Sequence, residues 1–234
     1  KGSGLGASSS LLIAISGALN ELNNLQHDGE TLIRFGADIE AQNIRIPTGK
    51  QDYYAAYYGG VNAIHWGVRE NRVQPLLVGE ETIATLESRL ILSFTGISHF
   101  SGATNWDMVR NYIENTGSTR AALRTINETA HEMASVLQSV DLEGFARVLD
   151  QEWQHRRSLA EGVSTPEIDA MIEAARRAGA LASKICGAGG GGCMVTFVED
   201  GAQEAVKAAL VEHGANPIPF KISRTGLQVR RVEE

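Results

Sequence analysis

Apolar side chains recur at every third or fourth position through much of the chain, which is the spacing of one face of an α-helix. On this pattern we predict helices at about 8–25, 28–44, 51–58, 106–161, 166–179 and 202–213, the fourth with breaks near Gly117 and Asp141. Asp28 and Thr165 stand at the predicted starts of the second and fifth helices, where a short polar side chain caps the free N–H groups. Gly59, Gly179 and Gly214 stand at predicted helix ends, where glycine readily adopts the left-handed conformation that stops a helix.

Short runs of β-branched and other apolar residues predict strands at about 61–66, 73–78, 90–94, 182–186, 193–198, 217–222 and 227–232. In the C-terminal part these strands alternate with helices, and several of them are joined directly. This order favours an α+β fold over a purely parallel sheet. The polar segment at 80–86 is predicted to separate two domains, 1–86 and 87–234.

The composition is that of an ordinary globular protein, with 43% hydrophobic and 21% charged residues in 234. The net charge is −7 and the 21 Lys and Arg residues are scattered, which argues against a nucleic-acid partner. The longest apolar run, 11–15, is too short to cross a membrane. Cys186 and Cys193 have no histidine at metal-ligand spacing, so we interpret them as free thiols and predict a cytoplasmic protein.

A glycine-rich segment, Gly2-Ser3-Gly4-Leu5-Gly6-Ala7-Ser8-Ser9, stands directly before the first predicted helix. Glycine lets the backbone turn tightly and lets a large anion approach the amides. The start of the helix adds unpaired N–H groups and the positive end of its dipole, so the segment predicts a phosphate site. It is not a Walker A loop, because no Lys-Ser or Lys-Thr ends it. A tight turn into a core helix is the purely structural alternative.

A second glycine run, Gly187-Ala188-Gly189-Gly190-Gly191-Gly192, contains the spacing of a dinucleotide-binding motif. That motif needs a helix after the glycines, whereas the following segment, 193–198, is apolar and rich in strand-forming residues. We therefore predict a glycine hairpin between two strands. A hairpin alone needs fewer glycines, so the run also suggests close approach to another backbone or to a ligand.

Two acidic residues, Glu40 and Asp52, stand on either side of the predicted break at 45–49. A carboxylate beside a nucleotide triphosphate commonly holds Mg²⁺, and a second carboxylate can accept the proton of an acceptor hydroxyl. The spacing alone does not distinguish either residue from the other 26 acidic residues, most of which are surface groups.

Taken together, these motifs resemble those of the GHMP kinases, named for galactokinase, homoserine kinase, mevalonate kinase and phosphomevalonate kinase. Gly4-Leu5-Gly6-Ala7-Ser8-Ser9 is similar to the family's phosphate loop, and 184–192 is similar to its C-terminal glycine motif. The segments 49–56 and 94–98 resemble those of the subgroup that phosphorylates D-glycero-D-manno-heptose 7-phosphate. The resemblance implies an incomplete N-terminal ATP-binding domain like domain 2 of ribosomal protein S5. It also implies a ferredoxin-like C-terminal domain.

The resemblance also implies roles, with ATP and Mg²⁺ as cofactors and a small sugar or sugar phosphate as the acceptor, phosphorylated at its anomeric hydroxyl. Asp52 is the expected catalytic residue, and Ser8 and Glu40 are the expected Mg²⁺ ligands. The expected ATP-binding residues are Gly2, Ser3, Gly4, Leu5, Gly6, Ala7, Ser8 and Ser9. The expected substrate residues are Gly49, Lys50, Thr95, Gly96, Gly189 and Gly190, and Lys50 is also a candidate for lowering the pKa of Asp52.

The chain departs from the family pattern at three places. Ala7 replaces a serine of the phosphate loop, and His99 stands where heptose-type members carry arginine. Arg45, Pro47 and Thr48 replace smaller residues before Asp52. No Met begins the chain and no strand leads into the first loop, so we expect a fragment that is inactive or poorly folded alone. Four alternatives stay open: another GHMP kinase (galactokinase-like or mevalonate kinase-like), a non-catalytic binding protein of the same fold, a dinucleotide-linked dehydrogenase, or a structural domain. A homodimer also stays open.

Overall fold

The computed structural model describes residues 2–46, 48–98 and 101–232, with the side chains of 101–103 set aside. His99 and Pro47, which the sequence analysis singled out, lie outside these residues. The chain divides into two compact units. One comprises 6–76 and 222–234, and the other comprises 1–5 and 77–221.

The first unit consists of three helices and a hairpin. The helices are α1 (Ala7–Leu22), α2 (Gly29–Ile44) and α3 (Gln51–Tyr58), and the strands are β1 (Asn62–His65) and β2 (Arg72–Pro75), which pair antiparallel. As predicted, Asp28 caps α2, because its carboxylate accepts the N–H of Thr31 at 2.9 Å. The core of this unit comprises Ile13, Ile33, Ala37, Tyr53 and Tyr54.

The predicted strand at 227–232 is wrong, since this segment forms no regular element among the described residues. Isolated contacts hold it instead. The N–H of Leu227 donates to the carbonyl of Tyr57, and the guanidinium of Arg231 pairs with Glu21 of α1. The Leu227 side chain also packs on Gly17 of α1, where an added Cβ would lie 2.6 Å from it. Leu227 thus packs against α1, whereas Val229 and Val232 are exposed.

The second unit contains α4 (Glu80–Arg89), β3 (Leu90–Phe94), α5 (Ser101–Glu114), α6 (Thr119–Ser139), α7 (Leu142–Arg156) and α8 (Pro166–Arg177). It continues with β4 (Ala180–Ile185), β5 (Cys193–Val198), α9 (Gln203–Glu212) and β6 (Asn216–Ile218). The strands form one antiparallel sheet in the order β4-β5-β3-β6. From β3 onward, this strand order and the β-α-β-β-α-β succession are those of a ferredoxin-like fold, which confirms the predicted α+β class.

The core of this unit lies between the sheet and the helices α7, α8 and α9, with Trp153, Ile168, Met194 and Leu210 among its buried side chains. The predicted breaks near Gly117 and Asp141 fall between α5, α6 and α7. As predicted, Thr165 caps α8, and Pro166 occupies its first turn.

The compact units differ in detail from the predicted domains. The contacts divide the chain after Leu76, ten residues before the predicted boundary. Residues 1–5 belong to the second unit and residues 222–234 to the first, whereas the prediction placed 1–5 in the first domain and 222–234 in the second. The segment predicted as a linker, 80–86, lies in α4. The domain boundary at 86/87 therefore stays a prediction. None of the helices among the described residues is long and apolar enough to span a membrane.

Candidate active site

The start of α1 is built to receive an anion. Gly6, at φ +66°, turns the chain into the helix, and no side chain caps it. The N–H of Ser10 donates to the Gly6 carbonyl at 2.9 Å, so the preceding N–H groups lie before the first helical hydrogen bond. The first turn contains no acidic residue that would compete for these groups. The amides of Ala7, Ser8 and Ser9 and the helix dipole therefore favour a phosphate here.

Asp52 lies against this turn. A Cβ built on Gly6 would be 2.6 Å from Cβ of Asp52 and 2.8 Å from its Cγ, so only glycine lets the carboxylate come this close. The first turn of α3 positions Asp52 there. Burial is the main cause that raises its pKa above the ordinary value, and the negative charge of Glu40 adds to it. Lys50 does not contribute to this shift, and the pKa moves in the direction opposite to the one that Lys50 was a candidate to produce.

Glu40, near the end of α2, is held by a set of hydroxyl groups. Its Oε2 accepts hydrogen bonds from the hydroxyl of Tyr53 at 2.7 Å and from that of Thr48 at 2.9 Å. The Ser8 side chain also stabilises the ionised form of Glu40. Burial raises the pKa of Glu40, but the side chains of Tyr53, Ser8 and Thr48 outweigh it and hold the pKa below its ordinary value. Glu40 is therefore a carboxylate kept ionised at the start of α1.

Ser8 and Glu40 fit the expected Mg²⁺ site by the chemistry of their donors. Mg²⁺ prefers oxygen ligands and usually takes one or two from the protein, with the rest from phosphate and water. The Ser8 hydroxyl and the Glu40 carboxylate are both oxygen donors, and the Ser8 side chain interacts with Glu40. Among the described residues, no group of three or more His, Cys, Asp or Glu side chains is arranged to hold a metal. Phosphate and water are the usual further ligands of Mg²⁺ in such a site.

In the second unit, the glycine run 187–192 packs on the beginning of the chain. The N–H of Cys193 donates to the Ser3 carbonyl at 2.7 Å. A Cβ built on Gly192 would lie 2.6 Å from the Gly2 carbonyl oxygen. A Cβ built on Gly4 would lie 2.5 Å from the Cys186 carbonyl oxygen. The predicted close approach to another backbone therefore explains why glycine is needed at these positions.

The same run joins β4 to β5 as the predicted hairpin, with the N–H of Cys186 donating to the carbonyl of Cys193 at 2.8 Å. The residue after Gly192 begins a strand, so no helix start is available to bind a pyrophosphate. This excludes the dinucleotide-binding alternative. Neither cysteine forms a disulfide, as predicted.

The expected substrate residues fall into two groups. Gly49 and Lys50 immediately precede α3. Thr95 and the glycines of the run belong to the second unit, where they hold the hairpin together. The Thr95 hydroxyl and N–H both donate to the Gly192 carbonyl at 2.9 Å, and the Gly190 N–H donates to the Val163 carbonyl at 2.8 Å. Their substrate roles stay predictions.

Sequence reasoning gave Tyr53 and Thr48 no role at the cation site. Tyr53 is fully buried, yet its hydroxyl is directed at Glu40. One signal was present: Gly36 and Glu40 are one turn apart on α2, so they present a gap and a carboxylate on the same face. A Cβ built on Gly36 would lie 2.9 Å from Cε1 of Tyr53, so the ring occupies that gap.

The site thus combines a helix start preceded by glycine with the hydrogen-bonded carboxylate of Glu40 and the half-buried carboxylate of Asp52. This combination is typical of proteins that bind a phosphorylated ligand together with a divalent cation. The chain belongs to the GHMP kinases. The protein-family model described as the GHMP kinases N terminal domain matches residues 1–60 of the sequence. The family model described as GHMP kinases C terminal matches residues 133–216.

Individual relatives include kinases with different acceptors. The chain is 28% identical to D-glycero-alpha-D-manno-heptose 7-phosphate kinase of Campylobacter jejuni, over 99% of this chain and 68% of the relative. It is also 28% identical to mevalonate kinase of Thermococcus onnurineus, over 99% of this chain and 66% of the relative. Among solved structures, a D-glycero-D-manno-heptose 1-phosphate kinase from Bacteroides thetaiotaomicron is similar, with 27% identity and a TM-score of 0.72 over 99% of this chain and 65% of that one. The chain thus spans about two thirds of the length of these proteins.

Proposed function

We propose that this protein is an ATP-dependent kinase that phosphorylates a hydroxyl of a small sugar or sugar phosphate, with a heptose phosphate as the leading acceptor. The observation that carries the proposal is the position of Asp52, whose carboxylate lies against Gly6 at the start of α1. The relatives that act on heptose phosphates support the choice of acceptor.

The ATP phosphates would bind along Gly2–Ser9, on the amides at the start of α1. The Ser8 hydroxyl and the Glu40 carboxylate would hold Mg²⁺, which when bound neutralises charge on the phosphates. The interaction of the Ser8 side chain with Glu40 supports this pairing, because both groups would need little movement to bind one cation. Preorganised oxygen donors of this kind lose little free energy to rearrangement during the reaction.

Asp52 would accept the proton of the acceptor hydroxyl while that oxygen forms its bond to the γ-phosphorus and the bond from this phosphorus to the β,γ-bridging oxygen breaks. ADP then leaves with the bridging oxygen, and the proton resides on the Asp52 carboxylate until it passes to solvent. Burial and the charge of Glu40 raise the pKa of Asp52, which makes its carboxylate a stronger base than an exposed aspartate. Lys50 and Gly49 directly precede α3 and would border the acceptor.

An acceptor panel tests this function. The full-length protein is assayed with ATP and Mg²⁺ on heptose 7-phosphate, heptose 1-phosphate, galactose and mevalonate. We expect the highest kcat/KM for a heptose phosphate. Mevalonate is the second candidate, because the mevalonate kinase relative has the same identity as the heptose kinase relative. Absence of ADP formation with every acceptor would contradict the kinase proposal and favour a non-catalytic binding protein.

A further inference from the structure

We infer that Tyr53 is a positioning residue that fixes the Glu40 carboxylate for the cation and links it to the start of α1. The inference rests on the proposed function, because it takes Glu40 as a ligand of Mg²⁺. Tyr53 would otherwise be described only as an aromatic residue of the core.

Packing fixes the position of the Tyr53 ring. The side chain is fully buried, and the ring lies where Gly36 leaves a gap on α2. From there the hydroxyl lies 2.7 Å from Oε2 of Glu40 and 3.3 Å from the Gly36 carbonyl oxygen. A buried ring has few other rotamers available to it. Packing of the ring in the core therefore keeps the hydroxyl in place at Glu40.

The hydrogen bonds determine which oxygen of Glu40 is left for a cation. The Tyr53 and Thr48 hydroxyls both donate to Oε2. Neither of them occupies Oε1, which can therefore serve a metal ion. An ionised carboxylate that accepts hydrogen bonds from two hydroxyl groups keeps one orientation. Groups that surround a metal ligand in this way orient the ligand and adjust the affinity of the site for the metal.

Tyr53 also contacts the helix whose start would bind the phosphates. Ser9, buried in the first turn of α1, interacts with the Tyr53 hydroxyl. The neighbouring Ser8 interacts with Glu40 itself. The Tyr53 hydroxyl thus joins α1, α2 and α3 at one point, and its loss would loosen the cation ligand relative to the amides of α1.

The test uses the full-length protein and the variant Tyr53→Phe, which keeps the ring and removes the hydroxyl. Mn²⁺ serves as the probe, and its binding in the presence of a non-hydrolysable ATP analogue is followed by the electron paramagnetic resonance signal of the free ion. We expect the dissociation constant for Mn²⁺ to rise about tenfold, which corresponds to about 1.4 kcal/mol. In turnover assays, the Mg²⁺ concentration for half-maximal activity rises similarly, while kcat at saturating Mg²⁺ stays within about threefold.

Tyr54→Phe is the matched control. Tyr54 is also fully buried on α3, and its hydroxyl donates to Glu30 at 2.5 Å, away from Glu40. Its Mn²⁺ affinity should equal that of the wild type. In the Glu40→Gln background, Tyr53→Phe should cause no further loss, because the two residues act through one contact.

Unchanged Mn²⁺ binding in Tyr53→Phe, or an equal loss in Tyr54→Phe, would overturn the inference while leaving the kinase proposal intact. If the wild-type protein binds no Mn²⁺ with the nucleotide and transfers no phosphate, both proposals are overturned. Thr48→Val guards against a folding defect in Tyr53→Phe, since Thr48 is only half-buried and donates to the same oxygen. It should weaken Mn²⁺ binding about threefold, and an unchanged affinity would count against the inference.

Discussion

Gly6→Ala tests whether the close approach of Asp52 to the start of α1 matters for turnover. The added methyl group would be 2.6 Å from Cβ and 2.8 Å from Cγ of Asp52, distances that real side chains do not tolerate. Asp52 or the turn must therefore move. In addition, alanine at φ +66° occupies the left-handed region, which costs about 1–2 kcal/mol for a residue with a Cβ.

We expect two effects of different size. The free energy of unfolding should fall by about 1–2 kcal/mol from the backbone alone. Turnover should fall by about 100-fold, since a displacement of about 1 Å at a reacting group has an effect of this order. Urea unfolding followed by tryptophan fluorescence measures the first effect, and ADP release from the full-length protein measures the second.

Gly117→Ala is the matched control for Gly6→Ala. Gly117 has φ +54° and no atom within 4 Å of the position of an added Cβ, so the substitution has the backbone cost without the collision. It should lose similar stability and keep its turnover. Equal turnover in the two variants would refute the reasoning, because it would show that the contact between Gly6 and Asp52 does not position a reacting group.

Three further predictions address other contacts. Glu152→Gln should cost about 3 kcal/mol at pH 7, because it leaves the half-buried Lys184 without its partner at 2.5 Å. The partner charges outweigh burial and hold the pKa of Glu152 below its ordinary value of 4.5, so this stability is present above pH 4.5 and is lost as the pH falls through the folded value. The difference between variant and wild type in urea unfolding should therefore shrink as Glu152 is protonated in acid. Gly192→Ala should weaken binding of a non-hydrolysable ATP analogue about tenfold in calorimetry, because its Cβ would lie 2.8 Å from the Ser3 carbonyl oxygen; unchanged binding would show that the loop position is unimportant. Ser8→Ala should raise the Mg²⁺ concentration for half-maximal activity about tenfold, and an unchanged Mg²⁺ titration would remove Ser8 from the cation site.

The regular elements could be predicted where local signals agree. The strand 193–198 has its predicted bounds, because a glycine run and a turn enclose six apolar or β-branched residues. Asp28 and Thr165 cap helices as predicted, because capping is decided within one turn. The strand at 227–232 was wrong because the segment is held by single contacts with residues far away in sequence, such as Leu227 on Gly17 and Arg231 with Glu21, which no local pattern reveals.

The candidate site was less accessible from the sequence. Spacing did not distinguish Asp52 and Glu40 from other acidic residues, and only the family resemblance singled them out. The structure brings both carboxylates together with Ser8 in one unit. The contribution of Tyr53 depends on the gap at Gly36 and on the Glu40 rotamer, both of which arise only from packing.

The most direct test of the central claim is the turnover of Asp52→Asn in the full-length protein with ATP, Mg²⁺ and the best acceptor of the panel. We predict that kcat falls by about 10³-fold, as expected for loss of a general base, while the affinity for a non-hydrolysable ATP analogue stays within twofold. Asp38→Asn, an exposed acid on α2, should leave both quantities unchanged. Turnover near the wild-type value in Asp52→Asn would contradict the account.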